Sequence, residues 1–170
     1  MPTGLVDASM YRKGHLGVSL LVFAPVGYAL VTAGHPAVAA VAGLVMVQLS
    51  TLPDIDHRLP MVDHRGATHS LAFAALVGGA GAAVGVVADS VVSVGLPLPA
   101  VGFAIGALTI LAHLLGDTLT PMGVNYLWPL PAAPVSLSLT PADNPVANSG
   151  LFGLGLAVTA GWVAVVGGVV

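Results

Sequence analysis

The sequence predicts an all-α integral membrane protein with about five transmembrane helices and a cluster of histidine and aspartate at their cytoplasmic end. Three observations carry that prediction. Apolar residues make up 56% of the 170 positions, 22 glycines come on top, and charged residues are only 6%. Soluble domains carry roughly 25% charge, because a water-facing surface needs it. Second, the apolar residues fall in five long stretches rather than in period-two alternation, which favours helices over a membrane barrel. Third, Arg12, Lys13, Arg58 and Arg65 are the only Lys and Arg residues, and all four fall on one side when five spans are threaded alternately. The positive-inside rule makes that side cytoplasmic.

Each element follows from the roughly 20 apolar residues that a membrane helix needs. The first stretch runs from Leu16 to about Ala33. With Arg12 and Lys13 before it, it resembles a secretory leader, but its apolar run exceeds the roughly 7–15 residues of a leader core. It therefore reads as a span. The second runs from Pro36 to Leu52 and the third from Ser70 to Val94. The fourth, Ala100 to Leu115, is short unless its polar end through Leu119 counts. A proline-rich stretch over 129–145 reads as a loop, and the last span runs from Gly150 to Val170. Glycine and alanine fill these segments, as expected where membrane helices pack closely. Residues 1–170 thus form a single multi-spanning membrane domain, with the N-terminus, the 53–69 loop and the 118–149 loop inside.

Composition excludes several chemistries. There is no cysteine, hence no disulfide, thiolate metal site or cysteine nucleophile. All seven acids are aspartate, which excludes HExxH metalloproteases and Glu-based di-iron bundles. A net charge of −3 with four basic residues argues against nucleic acid as a partner. The lipid bilayer is the partner that the composition implies.

The polar residues gather at one depth. Asp54, Asp56, His57, Asp63, His64 and His69 lie in one short loop and its edges, His113 and Asp117 at the inner end of the fourth span, and His15 at the inner start of the first. Asp7, His35, Asp89 and Asp143 stand apart. The His113 and Asp117 side chains, four residues apart, share one helix face. Thr68 is placed to cap a helix beginning at His69. Asp and neutral His are ligands that zinc, manganese and iron accept. Any one such residue at a helix end is as readily an interfacial group. A whole constellation in so charge-poor a chain points to function, because ionisable groups at a membrane are costly and crowded aspartates repel unless a cation lies between them.

Four blocks carry a resemblance. They are Lys13-Gly14-His15-Leu16, then Leu52-Pro53-Asp54-Ile55-Asp56-His57, then His64-Arg65-Gly66-Ala67-Thr68-His69-Ser70, then His113-Leu-Leu-Gly-Asp117 through Thr120-Pro121-Met-Gly123-Val124 and Leu127-Trp128-Pro129. In order and spacing they resemble the YdjM-like family, inner-membrane proteins described as metal-dependent hydrolases. The resemblance implies a metal centre with His15, Asp54, Asp56, His57, His64, His69, His113 and Asp117 as ligands. The family also distantly resembles zinc-dependent phospholipases of the phospholipase C and P1 nuclease type, which implies a helical fold with several metals bound by His and Asp. One departure stands out: the family has an acidic residue, usually Glu, after the final loop, where this chain reads Asp143-Asn144-Pro145-Val146-Ala147-Asn148.

Eight ligands exceed one tetrahedral site of four. Two divalent transition ions, zinc or manganese, are the economical expectation, with Asp54 or Asp117 bridging. The function expected is hydrolysis of a phosphoester or lipid-linked substrate by a metal-activated water. With no Glu, the general base must be Asp, His or the metal hydroxide itself, and Asp63 is the expected unliganded carboxylate for that catalytic role. Arg65 is the expected bidentate phosphate clamp, with headgroup anchoring as its other reading. Thr120-Pro121-Met122-Gly123 is expected to shape the floor of the site, and Trp128 to sit at headgroup level. A metal transporter or sensor is the alternative, but transporters hold ligands near mid-membrane. A non-catalytic membrane scaffold is the third reading.

Overall fold

A computed structural model of the chain describes residues 8–60 and 63–168. Five α-helices dominate: α1 (Ala8–Thr32), α2 (Pro36–Leu49), α3 (Leu71–Asp89), α4 (Leu98–Thr118) and α5 (Pro145–Val166). Two short 3-10 turns, Pro53–Arg58 and Ala67–His69, lie between α2 and α3. Among the described residues, five segments are long and apolar enough to cross a membrane, as the hydropathy predicts. Asp7 lies outside the described residues.

The helix ends differ from the apolar stretches for local reasons. α5 starts at Pro145 rather than Gly150, because the Asn144 side chain accepts hydrogen bonds from the Val146 and Ala147 amides and Pro145 fits the first turn. α4 keeps its polar end, so His113 and Asp117 are helical and one turn apart. α3 stops at Asp89, which is exposed as the last residue of the helix. α2 has only 14 residues, about 21 Å at 1.5 Å per residue. Its crossing is completed by the following 3-10 turn, giving a span of Pro36–Arg58. That extension carries Asp54 and Asp56 along the same path.

Glycine decides the pairing. α3 lies against α4 so closely that a Cβ on Gly81 would run into the backbone of Gly102, and one on Gly102 into that of Gly81. A Cβ on Gly106 would come within 2.6 Å of the Val77 carbonyl oxygen. The α1–α5 pair repeats the pattern, with Gly155 held near the Gly17 carbonyl. Small residues let membrane helices meet backbone to backbone, where dispersion rather than water exclusion holds them. α1 also packs on α2 and α4, around Val18, Phe23, Ala42, Met46, Ile105 and Ala112. A second apolar cluster, Ala74, Ile110, Leu114 and Val124, supports the polar site. Successive helices reverse direction, so the start of α1, the exit of α2, the entry of α3, the end of α4 and the start of α5 share one end of the bundle.

Candidate metal centre

The site forms where those ends meet. α4 presents His113 and Asp117, both buried, from one face. The His113 Nε2 lies 3.2 Å from Asp117 Oδ2 and 3.4 Å from Asp54 Oδ1. His69 arrives from the 3-10 turn before α3, with its Nε2 3.3 Å from Asp117 Oδ2 and 3.6 Å from Asp54 Oδ1. The two Nε2 atoms face each other at 3.2 Å.

The outer nitrogens decide the protonation pattern. His113 Nδ1 donates to the Ser50 carbonyl at 2.8 Å, a helix-end carbonyl free of an intrahelical partner. His69 Nδ1 lies 3.2 Å from Asp56 Oδ2 and 3.0 Å from Thr68 Oγ1, whose own hydroxyl donates to Asp56. With both Nδ1 atoms carrying protons, both Nε2 atoms turn lone pairs toward each other and toward two carboxylates. Asp117 Oδ2 is buried with no donor assigned to it. Four electron-rich atoms converging in a buried site repel one another unless a cation stands between them. Two imidazoles held from behind and two carboxylates are a donor set suited to a divalent transition ion, so the residues fit the expected group. At His69, burial opposes the charged ring, but Asp117 and Asp54 prevail and raise its pKa above the ordinary histidine value. A proton and a metal therefore compete for the same place.

His15 of α1 completes this side. It is buried, stacked on His113 with ring centroids 3.8 Å apart, and its Nε2 lies 3.6 Å from Asp117 Oδ1. Gly116 makes the room, since a Cβ there would come within 2.8 Å of His15 Nδ1. That Nδ1 is buried without a partner. His15, Asp54 and His113 form one group able to hold an ion; His69, His113 and Asp117 form another; Asp56, His64 and His69 form a third.

The remaining expected site residues take different places. Asp56 accepts from His64 Nδ1 and from the Arg65 backbone N–H as well as from Thr68 and His69, so its oxygens are largely occupied. His64 is exposed, and His57 lies exposed over it at 3.9 Å between ring centroids. His57 belongs to none of the three groups. Asp63 is exposed and also lies outside them. Arg65 turns inward: its guanidinium donates to Asp117 Oδ1 at 2.6 Å, to Thr120 Oγ1 at 3.0 Å and to the Gly123 carbonyl at 2.9 Å. Its φ of 59° is left-handed, a conformation held only when the surroundings fix it. Thr120 and Gly123, from the block read as the floor, thus hold the arginine that holds Asp117.

Several contributors were hidden in the sequence. Ser50 acts through its carbonyl, which no residue type announces. Thr68 binds Asp56 and His69 rather than capping α3; Ser70 does that, accepting from the Phe73 amide. In the region where the resemblance leads one to expect an acid, Asp143 is exposed, and the Asn148 amide donates to the Ala142 and Asn144 carbonyls. The cluster opens into a cleft of about 1090 Å³ whose lining includes Arg12, Asp54, Arg58, His64, Asp117 and Met122.

Residues 10–169 match the family model described as YdjM inner membrane protein. No curated protein and no solved structure matches the chain.

Proposed function

The chain belongs to the YdjM inner membrane protein family, and from that premise we propose that it is a metal-dependent hydrolase acting on a phosphoester or lipid-linked substrate. The observation that carries the reading is the pair of Nε2 atoms 3.2 Å apart between two carboxylates, with both rings fixed from behind. His69, His113, Asp117 and Asp54 would hold the first ion. His113 offers only its Nε2 inward, so a second ion would draw on His15 and Asp54. Divalent transition ions, zinc or manganese, would supply Lewis-acid polarisation and a nucleophile at neutral pH.

The chain's own groups divide the remaining tasks. Asp56 and the Ser50 carbonyl keep His69 and His113 in the ligand tautomer. Arg65 fixes Asp117 and offsets its charge. In the cleft, Arg12 and Arg58 are exposed and attract an anionic substrate group. His64, steadied by Asp56, and Asp63 are the candidate proton carriers. The four basic residues on the cluster's end support a cytoplasmic site and a cytoplasmic N-terminus. Residues 1–170 would act as one domain.

Metal analysis of detergent-purified protein tests this. The expected result is two transition ions per chain, lost in His113→Ala/Asp117→Ala, together with phosphoester hydrolysis that Asp54→Ala abolishes. A wild-type protein that takes up no zinc or manganese on reconstitution would sink the reading. Metal flux across vesicles without hydrolysis would replace it with transport.

A further inference from the structure

We propose that the uncharged segment 119–142 is seated in the lipid–water interface and forms a bilayer-facing lip of the cleft, so that the cleft opens to the leaflet as well as to water. Between Asp117 and Asp143 the chain has no Asp, Glu, Lys, Arg or His. Its large apolar side chains are turned outward: Leu130 is 61% exposed, Leu139 71% and Met122 62%, with Leu127, Trp128 and Leu137 also exposed. A soluble surface seldom gathers so much apolar area in one segment.

The backbone suits a place at the edge of the hydrocarbon. Val124 and Val135 exchange both hydrogen bonds, Leu137 N–H donates to the Thr118 carbonyl, and the Leu139 and Thr140 amides donate to that of Leu119. Irregular chain tolerates low water activity only when its polar groups are satisfied in this way. The segment is also continuous with a lipid-facing helix. Leu71, the first residue of α3, donates its N–H to the Tyr126 carbonyl, and α3 exposes Leu76 and Val84 further along. Arg12, Lys13 and Arg58 are exposed at the same end, as required beside anionic headgroups.

The ends of the segment reach the metal cluster. Thr120, Pro121 and Met122 at one end, and Pro141 and Ala142 at the other, line the cleft with Asp54 and Asp117. An amphiphile moving in from the leaflet would meet apolar wall and cationic rim together. That consequence for the substrate rests on the hydrolase reading; the seating of the segment does not.

The native chain has no cysteine, so single cysteines report cleanly. Leu130→Cys, Leu139→Cys and Asp143→Cys are each reconstituted into vesicles of zwitterionic and anionic phospholipid. A water-soluble maleimide is supplied to both faces. The expected result is labelling of the two leucine positions on the order of tenfold slower than Asp143→Cys, since the interface excludes the reagent. In Trp162→Phe, which leaves Trp128 as the sole tryptophan, lipids brominated near the headgroup should quench more strongly than lipids brominated near the chain end. Equal labelling rates overturn the proposal, as does quenching of Trp128 by aqueous iodide with none by either bromolipid. Strongest quenching by the deep bromines overturns the interfacial placement. None of these readouts involves turnover or metal, so failure here and failure of the hydrolase reading are separately visible.

Discussion

The carboxylates of Asp54 and Asp56 leave one 3-10 turn in different directions. With three residues per turn, positions two apart cannot share a face. Asp54 therefore meets His69 and His113, while Asp56 turns back to His64, Arg65 and Thr68. Asp56→Asn should leave the fold intact and weaken zinc binding about 10–100-fold, the usual effect of losing a carboxylate behind a ligand histidine; a competition titration measures it. Arg65 makes a different kind of contribution. Arg65→Ala strips Asp117 of its buried partner, and breaking such a pair costs about 3–5 kcal/mol, so the detergent-solubilised protein should melt well below wild type. Zinc affinity should fall as pH falls. The raised pKa of His69 lets protons occupy the ring earlier on the way down than an ordinary histidine would, and each bound proton must leave before the ion enters. An affinity flat between neutral and mildly acidic pH would show that His69 is not a ligand.

At the scale of elements, glycine positions divide into those that touch and those that do not. Gly81 of α3 faces the Gly102 backbone, whereas Gly79, two residues earlier, has open space around it. Gly81→Leu should force α3 off α4 and lower thermal stability by about 1–3 kcal/mol or more, as overpacking does. Gly79→Leu should be near neutral in the same melting experiment, and equal losses would refute the interface described. The five spans were legible in the sequence because lipid demands long apolar runs. Their ends were less so: Asn144 starts α5 before its apolar run, and α2 stops short and hands its crossing to a 3-10 turn. The site's composition was legible for the opposite reason, because His and Asp are conspicuous in a chain so poor in charge. Which side chains face one another was not. It depends on the direction of side chains two residues apart and on a main-chain carbonyl at Ser50, neither of which is written in residue type. Arg65, read as a phosphate clamp or a headgroup anchor, donates in the fold to Asp117, a contact that residue type alone does not announce.

For the whole molecule, the alternation of helices puts the start of α1 and the segment between α4 and α5 on one side of the membrane. Reporters fused before α1 and inserted after Asp143 should therefore show the same side, the cytoplasm if the basic residues set orientation. Opposite sides would break the five-span topology. Among the described residues, the groups able to hold an ion draw on α1, the Pro53–His69 segment with its two 3-10 turns, and α4, and none draws on α5, which packs mainly on α1. Chain order thus becomes a timetable for biogenesis. His15 enters the bilayer with the first helix and must wait through three further insertions before Asp117 arrives beside it. Loading of any ion at these groups would accordingly be a late step, after α4 has been threaded and Asp117 has arrived, while α5 contributes its packing on α1 rather than a donor atom.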